Sequence, residues 1–155
     1  MTERRPLTPG EIELARTMFG DTIDYDRVEL VRGKWIFFQP RGVVMAPTGN
    51  IHFHPDSDRW SDDFSRDKLT SQGLFIHEMT HVWQTQRAGR WYLPLIRHPF
   101  CRYGYELKEG RSFLQYGIEQ QAEIVKHRFY ANRGIKVAQI PPSELLPFLD
   151  RDETG

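Results

Sequence analysis

Leu74-Phe75-Ile76-His77-Glu78-Met79-Thr80-His81-Val82-Trp83-Gln84 decides how this chain is read. The residues suit a helix, and positions four apart on a helix stand one above the other, so His77 and His81 share a face. Two imidazoles so placed can reach one tetrahedral Zn²⁺. Glu78 lies beside that face, where its carboxylate can take a proton from a metal-bound water. The helix is expected to begin near Leu69 or Thr70 and to run to Ala88, with Gly89 as its stop. Phe75, Met79, Val82 and Gln86 form a core-facing stripe on a different side from the two histidines. Gly73, one turn before His77, costs helix stability but leaves space for a close neighbour.

A catalytic zinc needs a third protein ligand and an open position. A second long helix is expected from about Phe113 or Tyr116 to Asn132, closing at Gly134, with Ile118, Ala122, Val125 and Phe129 turned inward. Its Glu119 and Glu123 are four apart and share a face. One of the two carboxylates can bind the metal while the other holds a ligating imidazole by its second ring nitrogen. The spacing leaves open which does which. Tyr116, three residues before Glu119, is the candidate donor to an oxyanion. Tyr103, Tyr105 and His98 are other candidate donors, each read first as a packing residue.

Upstream, Leu7-Thr8-Pro9-Gly10-Glu11-Ile12 predicts a helix start, with Thr8 as N-cap, Pro9 at the first position and Glu11 closing a capping box. Ile12, Ala15, Met18 and Phe19 point inward and Gly20 ends the helix. Strands are expected at Val28–Val31, Lys34–Phe38, Gly42–Ala46 and Asn50–His54, the last two joined by a turn at Pro47-Thr48-Gly49. His52 and His54 would share a strand face, read as polar residues rather than as a second metal pair. The acidic stretch Asp56 to Asp63 lacks EF-hand spacing and reads as a solvated loop. Trp91 to Ile96 packs as a loop or lines a pocket, and Pro141 to Leu149 reads as a linker with a short apolar helix. The fold class is α+β: an N-terminal helix, a small mixed or antiparallel sheet and two long helices carrying the ligands. One domain covers residues 1–150, with a loose tail at 151–155.

The 155 residues carry 21 basic and 21 acidic side chains, so the formal net charge is zero. No basic excess marks a nucleic-acid or anionic-membrane surface. The single cysteine, Cys101, excludes an internal disulfide and a Cys-rich zinc knuckle. No window approaches a membrane span, and the first residues carry no signal peptide, so a cytoplasmic location is expected unless a specialised machine exports the protein.

His77-Glu78-x-x-His81 followed by Glu119-x-x-Ala122-Glu123 resembles the gluzincin metallopeptidases, whose second zinc helix carries Glu-x-x-x-Asp. That resemblance implies Glu119 on the metal and Glu123 behind a histidine. Glu123 stands where Asp is usual, which keeps Glu123 as the alternative ligand. Arg5-Pro6-Leu7-Thr8-Pro9, Phe19 to Tyr25, Gly49 to Phe53, His77 to Gln84 and Tyr116 to Glu123 together resemble small Vgr-related proteins and the metallopeptidase-like domains of bacterial contractile injection systems. The resemblance implies a zincin-like fold and a link to type VI-like secretion. The expected function is a zinc-dependent hydrolase, most simply a peptidase, with Glu78 activating the water. The alternative is a zinc-stabilised, non-catalytic adaptor. The expected partner is accordingly a peptide or protein substrate, or a secretion-system protein.

Overall fold

The computed structural model describes residues 2–37, 39–89 and 103–148. His98, the segment Trp91 to Ile96 and the tail expected at 151–155 lie outside the described residues. Strand β1 (Glu3–Pro6) leads into helix α1 (Pro9–Phe19), followed by β2 (Glu29–Arg32), β3 (Val44–Met45) and β4 (Ile51–Phe53). Helices α2 (Leu69–Ala88) and α3 (Ile118–Asn132) follow, and the described residues form an α+β fold. The sheet is mixed, in the order β1-β2-β4-β3. β1 pairs antiparallel with β2, β2 runs parallel to β4, and β3 closes an antiparallel hairpin with β4.

The helix starts and stops follow the local chemistry. Thr8 accepts from the Glu11 amide at 3.0 Å while the Glu11 carboxylate accepts from the Thr8 amide at 3.0 Å, closing the expected capping box. α2 ends where Gly89 takes φ 110°, a left-handed conformation that glycine adopts without a Cβ penalty. Gly73 does hold a close neighbour: a Cβ there would collide with the Tyr130 ring of α3.

Three expectations need correction. Lys34–Phe37 forms bends and a turn instead of a strand, because the buried Gln39 side chain takes up the Trp35 amide and the Val43 and His52 carbonyls that strand neighbours would otherwise pair. His52 is buried, not on an open polar face. It bonds to the Gly33 backbone, and its desolvation lowers its pKa. His54 Nδ1 accepts from the Asp56 amide at 3.0 Å. Finally, α2 is buried all round from Phe75 to Thr85, because it packs against α3, α1, β4 and the 3-10 turn Phe64–Arg66 at once.

Glu11 does more than cap. Its fully buried carboxylate takes both Nη atoms of Arg5 at 2.9 Å and the Phe64 amide at 2.8 Å, while Arg5 Nη2 donates to the Ser61 carbonyl at 2.7 Å. One ion pair thereby joins β1, α1 and the turn that precedes α2. Removing one partner of such a pair leaves a desolvated charge. Glu11→Gln is expected to cost about 3 kcal/mol, lowering Tm by roughly 10 °C in a chain of this size, read by calorimetry.

Candidate metal centre

α2 packs chiefly on α3, and their facing sides carry the site. One turn apart on α2, the His77 and His81 rings stand 5.1 Å apart, nearly perpendicular. From α3, Glu119 Oε1 lies 3.2 Å from His77 Nε2 and 2.9 Å from His81 Nε2. These three side chains can offer ligand atoms all within 4.8 Å of one another, and all three are buried. In a tetrahedron with bonds of about 2.0–2.1 Å, ligand atoms sit roughly 3.3 Å apart, so the spacing suits one zinc-sized ion.

The second ring nitrogens fix the tautomers. His77 Nδ1 donates to Glu123 Oε2 at 2.7 Å. His81 Nδ1 donates to Gln84 Oε1 at 2.8 Å, and Gln84 Nε2 in turn donates to the Ile118 carbonyl and to Gln121 Oε1. Both rings therefore direct Nε2 at the common centre, as outer hydrogen bonds do for ligating histidines. The donor set and its orientation fit a metal. Glu123 addresses the outer nitrogen of His77, whereas Glu119 addresses the inner nitrogen of both rings.

Burial works against a charged His77, but hydrogen bonds to Glu119 and Glu123, with the charge of Glu78 adding, raise its pKa to about 9. Burial also opposes ionisation of Glu123, yet the bonds from His77 and Lys126 outweigh it and hold that pKa down at about 2. Without metal, a proton on His77 thus takes over part of the cation's role. The folded pKa of His77 lies above its ordinary 6.5, so its contribution is complete below that value and lost as pH climbs through about 9. Glu123 lies below its ordinary 4.5, so its share is present above that value and lost as pH falls through about 2. Denaturant midpoints of the metal-free chain should therefore fall between about pH 6.5 and 9, and His77→Gln should flatten that slope.

One of the three clustered residues, His77, also borders open space. A cleft of about 330 Å³ is lined by His77, Glu78, Glu123 and Lys126, with Tyr103, Tyr130, Arg59 and the β3 residue Val44 among its other walls. Glu78 is buried to 6% exposure, on the cleft and outside the three-residue cluster. Tyr103 stacks on His77, ring centroids 6.1 Å apart. Tyr116 is the residue the structure does not bring here. Its hydroxyl accepts from the Lys108 amide at 3.1 Å, and it lines a separate cavity with Leu107, Arg111 and Leu145. Tyr116 precedes α3 and sits at the end of the 3-10 turn Phe113–Gln115, so helical spacing from Glu119 does not apply to it. Among the described residues, the phenols lining the cleft are Tyr103 and Tyr130. Gln84 carried a readable signal, an amide three residues after His81; Tyr130 carried none beyond the glycine it covers.

No protein-family model matches the chain. It is 42% identical over 132 residues to the type VI secretion system spike protein VgrG2b of Pseudomonas aeruginosa, an alignment covering 81% of this chain and 13% of that protein. Among solved structures, the effector domain of Pseudomonas aeruginosa VgrG2b superposes with a TM-score of 0.73 at 40% identity, covering 83% of this chain and 75% of that one. The spike protein is thus far longer than the matched region, whereas the effector domain corresponds to the chain over most of its length. With the same fold and this level of identity, the chain belongs to the family of the VgrG2b effector domain.

Proposed function

We propose that this protein is an effector domain of a type VI-like secretion system and that it acts as a zinc-dependent hydrolase, a metallopeptidase. The similarity to the VgrG2b effector domain supports the first half. One observation carries the second: two imidazole Nε2 atoms and a carboxylate oxygen lie close enough to share one ion, and one of the three residues, His77, lines an open cleft together with a further carboxylate, Glu78. In this reading His77, His81 and Glu119 hold the ion, and Glu123 and Gln84 orient the two rings. The ion would supply Lewis acidity and a lowered pKa for water. Glu78 accepts the proton of the attacking water and returns it to the leaving amine. Tyr103 and Tyr130, which line the cleft, are the candidate donors to a developing oxyanion.

The second reading, an adaptor that uses zinc for stability, is favoured by the kinship with a spike component. A structural site closes all four positions with protein ligands, whereas the described residues bring three. Metal analysis of the purified chain, with cleavage of a broad peptide library before and after chelation and zinc return, separates the two. One zinc per chain with chelator-sensitive cleavage is the expected result. Stoichiometric zinc with no cleavage of any substrate would assign the adaptor role.

A further inference from the structure

Behind His77 the contacts continue past Glu123. Glu119, Glu123 and His127 follow one another at four-residue spacing on α3 and share a face. Glu123 Oε2 takes His77 Nδ1 at 2.7 Å and Lys126 Nζ at 2.9 Å, while its other oxygen, Oε1, is faced by His127 Nε2 at 3.9 Å. The second ring nitrogen, His127 Nδ1, lies 2.6 Å from the Tyr105 hydroxyl. A neutral imidazole carries one proton, and an ionised carboxylate only accepts. The proton therefore belongs on Nε2, toward Glu123, and Nδ1 accepts from Tyr105. Burial, with the charge of Glu123 adding, pushes the Tyr105 phenol up to about 12, so it keeps the proton it donates.

Tyr105 is held in turn. It lies in residues 103–107, which form neither helix nor strand. The Gln139 side chain brackets this segment: Nε2 donates to the Tyr105 carbonyl at 2.9 Å and Oε1 accepts from the Leu107 amide at 2.8 Å, the two-point pairing a neighbouring strand would make. Gln120 Nε2, in the first turn of α3, donates to the Gly104 carbonyl at 2.7 Å. A stretch without regular structure is thus fixed through three of its backbone groups, and the phenol it carries is aimed at a histidine that faces Glu123. Its first residue, Tyr103, stacks on the His77 ring. The same segment therefore meets His77 on the ring face and, through His127 and Glu123, at the ring edge.

We propose that residues 103–107 are a strap that sets the His77 imidazole for the metal, with Tyr105 and His127 as positioning residues that act through Glu123. A ligating imidazole takes its orientation and its basicity from the group on its second nitrogen. That group is Glu123, and its position depends on what holds each of its two oxygens. His77 and Lys126 share Oε2, so without His127 the carboxylate is engaged on one oxygen and free to turn about its last side-chain bond. At 3.9 Å the His127 contact is electrostatic, too long for a hydrogen bond. The Tyr105 hydroxyl gives that contact its sign, because it fixes which nitrogen carries the proton. The effect on zinc rests on the reading of His77 as a ligand, whereas the contacts among Tyr105, His127 and Glu123 do not.

Zinc competition titrations on the full chain test it, with Tyr105→Phe and His127→Ala made singly and each combined with Glu123→Gln. Either single substitution should weaken zinc binding about fivefold, less than the roughly 10- to 100-fold of a group that touches the ligand itself. Added to Glu123→Gln, neither should weaken it further, because both act through that carboxylate. Gln139→Leu, remote from the cluster in sequence, should act in the same direction as Tyr105→Phe. Wild-type zinc affinity in both single variants would overturn the proposal. So would an equal loss in the Glu123→Gln background, which marks a general effect on the fold. A wild-type chain that binds no zinc would remove the metal reading instead. The same cycle, read by thermal midpoints of the metal-free chain, then decides: coupled shifts keep the strap, and strictly additive ones overturn it.

Discussion

Glu78→Gln is expected to leave a folded chain with one zinc and almost no hydrolysis. Glu78 lies on the cleft next to His77 and outside the ligand cluster, so the substitution should not remove the ion. Glutamine keeps the shape and the hydrogen-bonding ends of the side chain but cannot accept a proton at neutral pH. Loss of a general base costs about 10²- to 10⁴-fold in rate. The loss should fall on kcat and leave KM nearly unchanged, because the proton moves only as the bond is made. Metal analysis and a thermal melt run beside the assay show whether the protein is otherwise intact. Zinc-loaded Glu78→Gln cleaving near the wild-type rate would remove Glu78 from the mechanism.

The parts of this architecture that were legible in the sequence are those set by neighbours along the chain. Thr8, Pro9 and Glu11 specify the start of α1 within four residues, and Gly89 and Gly134 end the two long helices. His77 and His81, or Glu119 and Glu123, are likewise placed by helical spacing alone. What was hidden depends on partners distant in sequence. β1 is Glu-Arg-Arg-Pro, polar and proline-bearing, and it forms a strand because it pairs at a sheet edge with β2 and because Arg5 is tied to Glu11. The parallel pairing of β2 with β4 brings Leu30 beside Ile51 and has no local signature. Trp35-Ile36-Phe37 has strand composition, yet a single buried amide, Gln39, turns it into a loop.

The same division runs through the metal centre. A helical period reports which side of α2 is apolar, but a helix packed on several sides has no exposed side for the period to reveal. The histidines of α2 were therefore readable as a pair and unreadable as part of a buried core. Tyr116 shows the converse error. Counting three residues back from Glu119 assumes an α-helix, and α3 begins only at Ile118.

Glu119→Gln should abolish tight zinc binding, whereas Glu123→Gln should only weaken it. Glu119 Oε1 faces both inner nitrogens, and its residue is 1% exposed, so on the proposed reading its loss removes one of three candidate ligands and the negative charge from the cluster. An amide oxygen is a poor replacement for a carboxylate in a site that otherwise offers two neutral imidazoles. Zinc should then pass to a competing chelator at concentrations the wild type resists. Glu123 touches only the outer nitrogen of His77 and is itself held by Lys126 Nζ at 2.9 Å. Substituting such a supporting group typically costs about 10- to 100-fold in metal affinity with the stoichiometry kept. The two variants change the same functional group on the same helix, four residues apart, so propensity and surface charge cancel in the comparison. Competition titrations with a fluorescent zinc chelator read the difference directly. The opposite ranking, with Glu119→Gln binding zinc as the wild type does and Glu123→Gln losing it, would require the His77 ring to turn over and would make Glu123 the ligand.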